Sequence, residues 1–127
     1  MLIELYFQEV HDLIESYEIV ESFNIDYEKR GFYEGFIRGI IHFKDNSFLY
    51  LREFVYVEII IDRKMYSYQY MDAENTLIFR YDNTEHHRQL NLPNFPDHKH
   101  DGREDNVLSS DAPFLADVLK EIERIQK

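Results

Sequence analysis

The chain has 127 residues, 44% of them hydrophobic and 16% aromatic, a formal net charge of −11 and no cysteine. Such a length supports one domain over residues 1–127 with a single modest core, and the lack of cysteine excludes disulfides, thiolate metal sites and a cysteine nucleophile. No apolar run is long enough for a bilayer and no leader-like segment stands at the N-terminus, so a cytoplasmic protein without a membrane partner is expected.

The first element is an amphipathic helix over residues 2–16. Leu2, Tyr6, Val10, Leu13, Ile14 and Tyr17 recur at helical spacing, with Glu4, Glu9, Asp12 and Glu15 between them. Residues 1–28 hold eight acids and no Lys or Arg, so −8 of the charge lies here and −3 in the remainder. An acidic stretch of this kind reads as a solvated face, or as a surface that meets a basic partner. A general nucleic-acid-binding surface is not expected from this balance, although a local cluster of bases would suffice for RNA.

The period then changes to two. Residues 19–28, 32–43, 48–57, 65–71 and 76–82 read as strands rich in Phe, Tyr, Ile and Val, with "KDNS" and "DAEN" as turns. Residues 58–64 either extend the third strand or form a connection. Residues 83–110 carry most of the polar punctuation and read as one long ordered loop that folds back on the sheet. Phe114, Leu115, Val118, Leu119, Ile122 and Ile125 then form a second helical stripe, with Ser110 or Asp111 as its cap and Pro113 in its first turn. The expected fold is α+β: a five- to six-stranded, mostly antiparallel sheet flanked by an N-terminal and a C-terminal helix.

The turns suggest a register. If "KDNS" closes a hairpin with Phe43 opposite Phe48, Arg38 lies opposite Glu53 and Gly39 opposite Arg52. Glu53 shares its face with Leu49, Leu51, Val55 and Val57, so it needs a partner, and Arg38 supplies one. If "DAEN" places Met71 opposite Thr76, Ser67, Gln69, Arg80 and Asp82 share one face. Tyr66, Tyr68, Tyr70, Phe79 and Tyr81 share the other.

Four of the six histidines, His86, His87, His98 and His100, fall within residues 80–100, with Asp82, Asp97 and Asp101 in or beside that segment. His98 and His100 are two apart, so an extended backbone points them the same way. With Asp82, and with His86 and His87 close by, they suit Zn²⁺ or Mn²⁺. A metal-free reading uses a histidine as general acid or base, Arg80 as a fork for phosphate and a tyrosine, to cleave RNA through its 2′-hydroxyl. Each feature also has a bland reading. The histidines can pin a loop through backbone carbonyls, Arg80 can pair with Asp82 or Glu53, Asp82 and Asn83 can end a strand, and the tyrosines can simply pack. The four glycines form no phosphate-cradling loop, and no nucleophile elbow or EF-hand pattern occurs.

"YSYQYMDAENTLIFRYDNTEHH" followed by "FPDHKH" resembles the TumE family, the toxin component of a prokaryotic toxin–antitoxin system. Upstream, "FIRGIIHFKDNSFLYLREFV" is similar to that family's strand, turn and glutamate-bearing strand. The resemblance covers roughly residues 31–100 and is weaker in the terminal helices. It implies a small cytoplasmic protein encoded beside a helix-turn-helix antitoxin. The matched positions are Glu53, Arg80, Asp82, Asn83, His86, His87, His98 and His100. Two departures stand out: "DNS" replaces the more usual Asp-Gly-Ser, and Gln69 stands where many relatives are expected to have histidine. The expected function is a toxin that acts on RNA as a ribonuclease-type enzyme, with Arg80, Asp82, His98, His100 and Glu53 as catalytic candidates. His98 or His100 would be acid or base, Arg80 would hold phosphate, and Asp82 would orient a histidine or bind a metal. The alternative is a non-catalytic binding protein whose histidine loop is scaffolding or holds a metal. A cognate helix-turn-helix antitoxin, RNA and a second copy of the chain are the expected partners.

Overall fold

The alternating stretches pair in chain order. In the computed structural model, which describes residues 1–85 and 91–127, β1 (Val20–Lys29), β2 (Glu34–Phe43), β3 (Phe48–Tyr56), β4 (Asp62–Met71), β5 (Leu77–Asp82), β6 (His98–Asp101) and β7 (Val107–Ser109) form one antiparallel sheet of seven strands. Two helices, α1 (Ile3–Glu15) and α2 (Leu115–Ile125), complete the fold. The α+β class is as expected, but the strand count exceeds five to six. The two extra strands lie in the segment expected to be one loop. "HKHD" and "VLS" are too short and, in β6, too polar to announce themselves. Residues 91–110 do return to the sheet, through β6 pairing with β5 and β7 with β6. Residues 58–61 form the undecided connection and β4 begins at Asp62.

Both helices cover one face. Tyr6 of α1 reaches Glu53 of β3, while Glu121 and Gln126 near the end of the chain reach Tyr81 and Tyr70. Beneath them Ile37, Ile41, Leu49, Leu51, Val55, Tyr66, Tyr68, Tyr70 and Phe79 are buried with Ile3, Val10, Ile14, Val118 and Ile122. Period-two strands facing two period-3.6 helices account for this core. Gly35 is where α1 comes closest to the sheet: a Cβ there would sit 2.5 Å from Phe7 and 2.8 Å from Ile3. Among the described residues the opposite face carries no helix.

The cap of α2 differs from expectation. Phe114 is the N-cap residue and its N–H donates to the Asp117 carboxylate at 2.9 Å. Ser110 Oγ instead accepts from Ala112 N–H, and Asp111 accepts from the Asn94 amide. Among the described residues no helix is long and apolar enough to cross a membrane.

The register of β2 and β3 is corrected by one residue. Asn46 takes a positive φ of 70°, so Lys44, Asp45 and Asn46 form a three-residue loop and Phe43 N–H bonds Ser47 O at 2.9 Å. His42, not Phe43, therefore faces Phe48; Arg38 faces Arg52, and Glu53 faces Ile37. Arg38 and Glu53 point to opposite faces of the sheet. "DAEN" behaves alike, with Asn75 at φ 66° and Met71 opposite Leu77 rather than Thr76. A bulge at Tyr70/Met71 shifts the pairing again, so Ser67 meets Asp82 and Gln69 meets Arg80. Ser67, Gln69, Arg80 and Asp82 thus share one face as expected, the face away from the helices, and Tyr66, Tyr68, Tyr70 and Tyr81 with Phe79 share the other.

Candidate functional site

The pairing of β5 with β6 sets Asp82 opposite His98 and Arg80 opposite His100, all four on the face away from the helices. His98 and His100 are 0% and 1% exposed and their rings lie 5.0 Å apart. Each ring has its Nδ1 fixed by a main-chain carbonyl: His98 by Pro96 O and His100 by Glu104 O, both at 2.7 Å. A carbonyl only accepts, so Nδ1 carries the hydrogen and Nε2 becomes the ligating side of each neutral ring. Both Nε2 atoms are turned toward Asp82, 2.9 Å from Oδ1 for His98 and 3.7 Å from Oδ2 for His100.

Asp82 is itself held. Thr84 donates to Oδ1 through its N–H and its hydroxyl, both at 3.0 Å, and Arg80 Nε donates to Oδ2 at 2.9 Å. Burial pushes the Asp82 carboxyl pKa upward, but Thr84, Arg80 and the neighbouring His98 together bring it below the usual aspartate value. Burial holds the pKa of His100 below that of ordinary histidine, with the Arg80 guanidinium adding to the effect. The rest of the Arg80 guanidinium is forked by the exposed Glu104 carboxylate, Nη2 to Oε2 at 2.8 Å, and touches Gln69 Oε1 at 3.3 Å. Among the catalytic expectations, Arg80 thus pairs with Asp82 and Glu104.

The three donor atoms of Asp82, His98 and His100 lie within 4.8 Å of one another. Donors around a tetrahedral Zn²⁺ stand ~3.3 Å apart for metal–ligand distances of about 2.0–2.1 Å, and 2.9 and 3.7 Å bracket that value. Two imidazoles and one carboxylate also suit Mn²⁺. The residues fit a divalent cation. They fit an acid–base triad less well, because such a triad aims one imidazole nitrogen at the carboxylate and the other at substrate. Here the second nitrogen of each ring is spent on a carbonyl.

Glu53 lies apart from this cluster, under the helices. Its carboxylate accepts from the Tyr6 hydroxyl and, at 2.6 Å, from Tyr68. These are its partners in place of Arg38. Burial is the largest influence and raises the Glu53 pKa, with the two hydroxyls and nearby Arg63 acting against it. Arg63 is fixed by Tyr68 Oη at 3.1 Å and by the carbonyls of Ala112 and Pro113, both at 2.7 Å. Its guanidinium lies 4.3 Å from the Tyr66 ring and 4.0 Å from the Phe114 ring. Asn83 ends β5 and ties back to β4, accepting Tyr66 N–H at 3.0 Å. Asp97 accepts the Tyr66 hydroxyl at 2.7 Å. His86 and His87 lie outside the described residues.

Sequence reasoning missed Thr84 and Glu104. A threonine two residues after a buried aspartate is a recognisable side-chain turn signal. Glu104 acts partly through its backbone carbonyl, which no residue type reveals.

The family model described as Toxin TumE matches residues 10–126 of the chain. No curated protein and no solved structure matches it. The match takes in every strand, α2 and the second half of α1, and so the chain belongs to the TumE family, whose name denotes a toxin.

Proposed function

We propose that this toxin acts on RNA as a metal-dependent nuclease, with Asp82, His98 and His100 holding a divalent cation. The observation that carries the reading is the convergence of two Nε2 atoms and one carboxylate, each ring locked by a carbonyl on its far side. That outer bonding fixes ring orientation and makes Nε2 the better ligand. A bound cation would polarise a phosphoryl oxygen and lower the pKa of a coordinated water. The chain's own side chains do the rest. Thr84 and Arg80 keep Asp82 ionised and in place. Glu104 forks Arg80 as a phosphate would; exposed on its turn, it is the group that an incoming phosphodiester displaces. Glu53, sealed under α1, serves the core.

A second reading draws on the burial of both imidazoles. In it the cation, or the cluster alone, only pins β6 to β5, and toxicity comes from binding another protein. One experiment separates the two. Protein stripped with a chelator is titrated with Zn²⁺ and Mn²⁺ by calorimetry, and RNA integrity and growth are followed without antitoxin. The nuclease reading expects one bound ion, RNA cleavage only in its presence, and loss of both in a His98→Ala, His100→Ala double variant that still binds antitoxin. A stable double variant with full toxicity removes the cluster from the activity.

A toxin implies an antitoxin, and we place its contact on α1. Glu4, Glu9, Asp12 and Glu15 are exposed there, and a helix-turn-helix partner that binds DNA carries basic surface. Charge reversal of Glu9, Asp12 and Glu15 should weaken the complex and flatten its salt dependence. An unchanged Kd across roughly 50–300 mM salt argues against this face.

A further inference from the structure

The corrected register creates a feature that the chain's acidity conceals. A straight row of cross-strand partners runs over the face away from the helices, from the exposed Arg38 and Arg52 through Ser67 to the buried Asp82 and His98. A parallel row runs from Ile40 to Tyr50, Gln69, Arg80 and His100. Arg38 and Arg52 are directly opposed and exposed, and among the described residues they form no ion pair. Like charges facing each other across strands destabilise a sheet, so the pair is suited to an anion that neither arginine finds within the described chain. Asp26 opposes Arg38 on its other side and bounds the row toward β1.

The surface between them is concave. A groove of about 610 Å³ is lined by Arg38, Arg52, Tyr50 and Gln69 among others. It adjoins a second hollow of about 340 Å³ that shares Arg52, Ser67 and Gln69 and reaches Arg80 and Asp82. Aromatic rings interleave with the arginines on the same face. Along β3 the order is Phe48, Tyr50, Arg52, Phe54; Phe48 and Tyr50 rings lie 5.3 Å apart, and Tyr50 is 45% exposed. Phe36 of β2 packs on Phe54 at 6.2 Å.

We propose that this face binds single-stranded RNA, with the backbone phosphates on Arg38 and Arg52 and a base stacked on Tyr50, so that the strand leads toward Asp82. This rests on the nuclease reading for its destination, but not for its binding residues. The chemistry selects the ligand. Arginines bind phosphates with their planar forks, and exposed aromatics on a sheet stack unpaired bases. A duplex keeps its bases inside and offers nothing to Tyr50. From Arg38 to Asp82 is three strand spacings, about 14 Å, a span that a short stretch of extended backbone covers. The net charge of −11 does not oppose this. Of the eight acids in residues 1–28, Glu4, Glu9, Asp12 and Glu15 lie on α1, across the sheet from the groove, and Asp26 alone of the eight lines it.

The test measures binding by fluorescence anisotropy on the full chain in chelator, so that no cleavage intervenes. The probes are a single-stranded RNA of about 12 nucleotides, within the range such surfaces cover, and the same sequence as duplex. Wild type should favour the single strand. An Arg38→Gln, Arg52→Gln variant should bind at least tenfold more weakly, with a log–log salt slope shallower by about 1.4, since each single-strand phosphate contact gives about 0.7. Its melting temperature should not fall, because the change relieves a repulsion. Tyr50→Ala should weaken binding about tenfold and leave the slope unchanged. Equal affinity of wild type and the arginine variant overturns the proposal. So does equal affinity for duplex, or loss of antitoxin binding in place of RNA binding. RNA that binds in this manner but is never cut with cation present leaves the groove standing and removes the nuclease reading. RNA that is cut normally by the arginine variant does the reverse.

Discussion

Two carboxylates lie buried on opposite faces of the same sheet: Glu53 at 1% exposure beneath the helices and Asp82 at 2% on the side away from them. Similar burial gives them opposite properties. Around Glu53 the donors are the hydroxyls of Tyr6 and Tyr68, whose own pKa values are pushed up by burial and by the Glu53 carboxylate. Arg63 is close enough to help, but its hydrogens go to Tyr68, Ala112 and Pro113. Burial wins there and the Glu53 pKa rises. Around Asp82 the donors are a backbone N–H, a hydroxyl and a guanidinium, with two imidazoles alongside, and they outweigh burial. Desolvation alone therefore does not mark a reactive carboxylate. Neighbours that can bind a proton or a cation do.

The same chemical change at both sites tests this difference most strongly. Asp82→Asn and Glu53→Gln each replace a carboxylate with an amide of nearly the same shape. Asp82→Asn should lower RNA cleavage by about 100-fold or more, since removing even an outer partner of a metal ligand costs 10–100-fold, and growth inhibition should vanish with it. Glu53→Gln should leave cleavage per folded molecule within about twofold of wild type, in line with a residue that touches no substrate. Comparable losses from both amides would mean that the two faces share one function.

A second change probes only the core side. Tyr68→Phe removes one of the two hydroxyls that satisfy Glu53 while keeping the ring in place. Leaving a buried acceptor short of a donor costs about 1–3 kcal/mol, visible as a lower melting temperature and an earlier urea midpoint. Toxicity should fall only in proportion to folded protein. Lost cleavage at unchanged stability would draw Glu53 into the chemistry after all.

How far the sequence revealed these two sites follows from one kind of error. The helices, the five long strands and the core face of Tyr66, Tyr68 and Tyr70 follow from periodicity, and the structure agrees. Register depended on the turns. Asn46 at positive φ takes up one residue, and that single step exchanged Arg38 for Ile37 opposite Glu53. The same step at Asn75 was followed by a bulge at Tyr70/Met71, and two steps restore the faces. Ser67, Gln69, Arg80 and Asp82 could therefore be grouped correctly, whereas Arg38 and Arg52 could not be seen as a pair. Positive φ at asparagine is readable from sequence, because Asn adopts it with little strain. A bulge leaves no such mark. His98 and His100 on one side follow from their spacing, but their meeting with Asp82 needed β6, whose residues are mostly polar because both faces serve specific contacts rather than core.

The smallest effect is the most discriminating about Glu53 itself. Its pKa is raised in the folded protein above the ordinary glutamate value of 4.5. The unfolded chain therefore releases its proton first as pH rises, and the folded state binds more protons in the interval between. Stability contributed by Glu53 is fully present below about pH 4.5 and is lost as pH climbs through the raised value. Tyr6, Tyr68 and Arg63 are the groups that face it, and both tyrosines are shifted further from neutrality, so neither hydroxyl titrates in that window. Glu53→Gln has no proton to lose, yet its carbonyl can still accept from one of the two tyrosine hydroxyls while its NH2 donates to the other. The melting-temperature difference, variant minus wild type, should accordingly grow as pH rises from the acid side and level off once the folded-state carboxyl has ionised. At its plateau the amide is at least as stable as the carboxylate, since a buried charge held only by hydroxyls is costly. Melting temperatures that stay a constant distance apart as pH rises from acid through neutral would mean that Glu53 is ionised like a surface glutamate and that burial does not govern this side of the sheet.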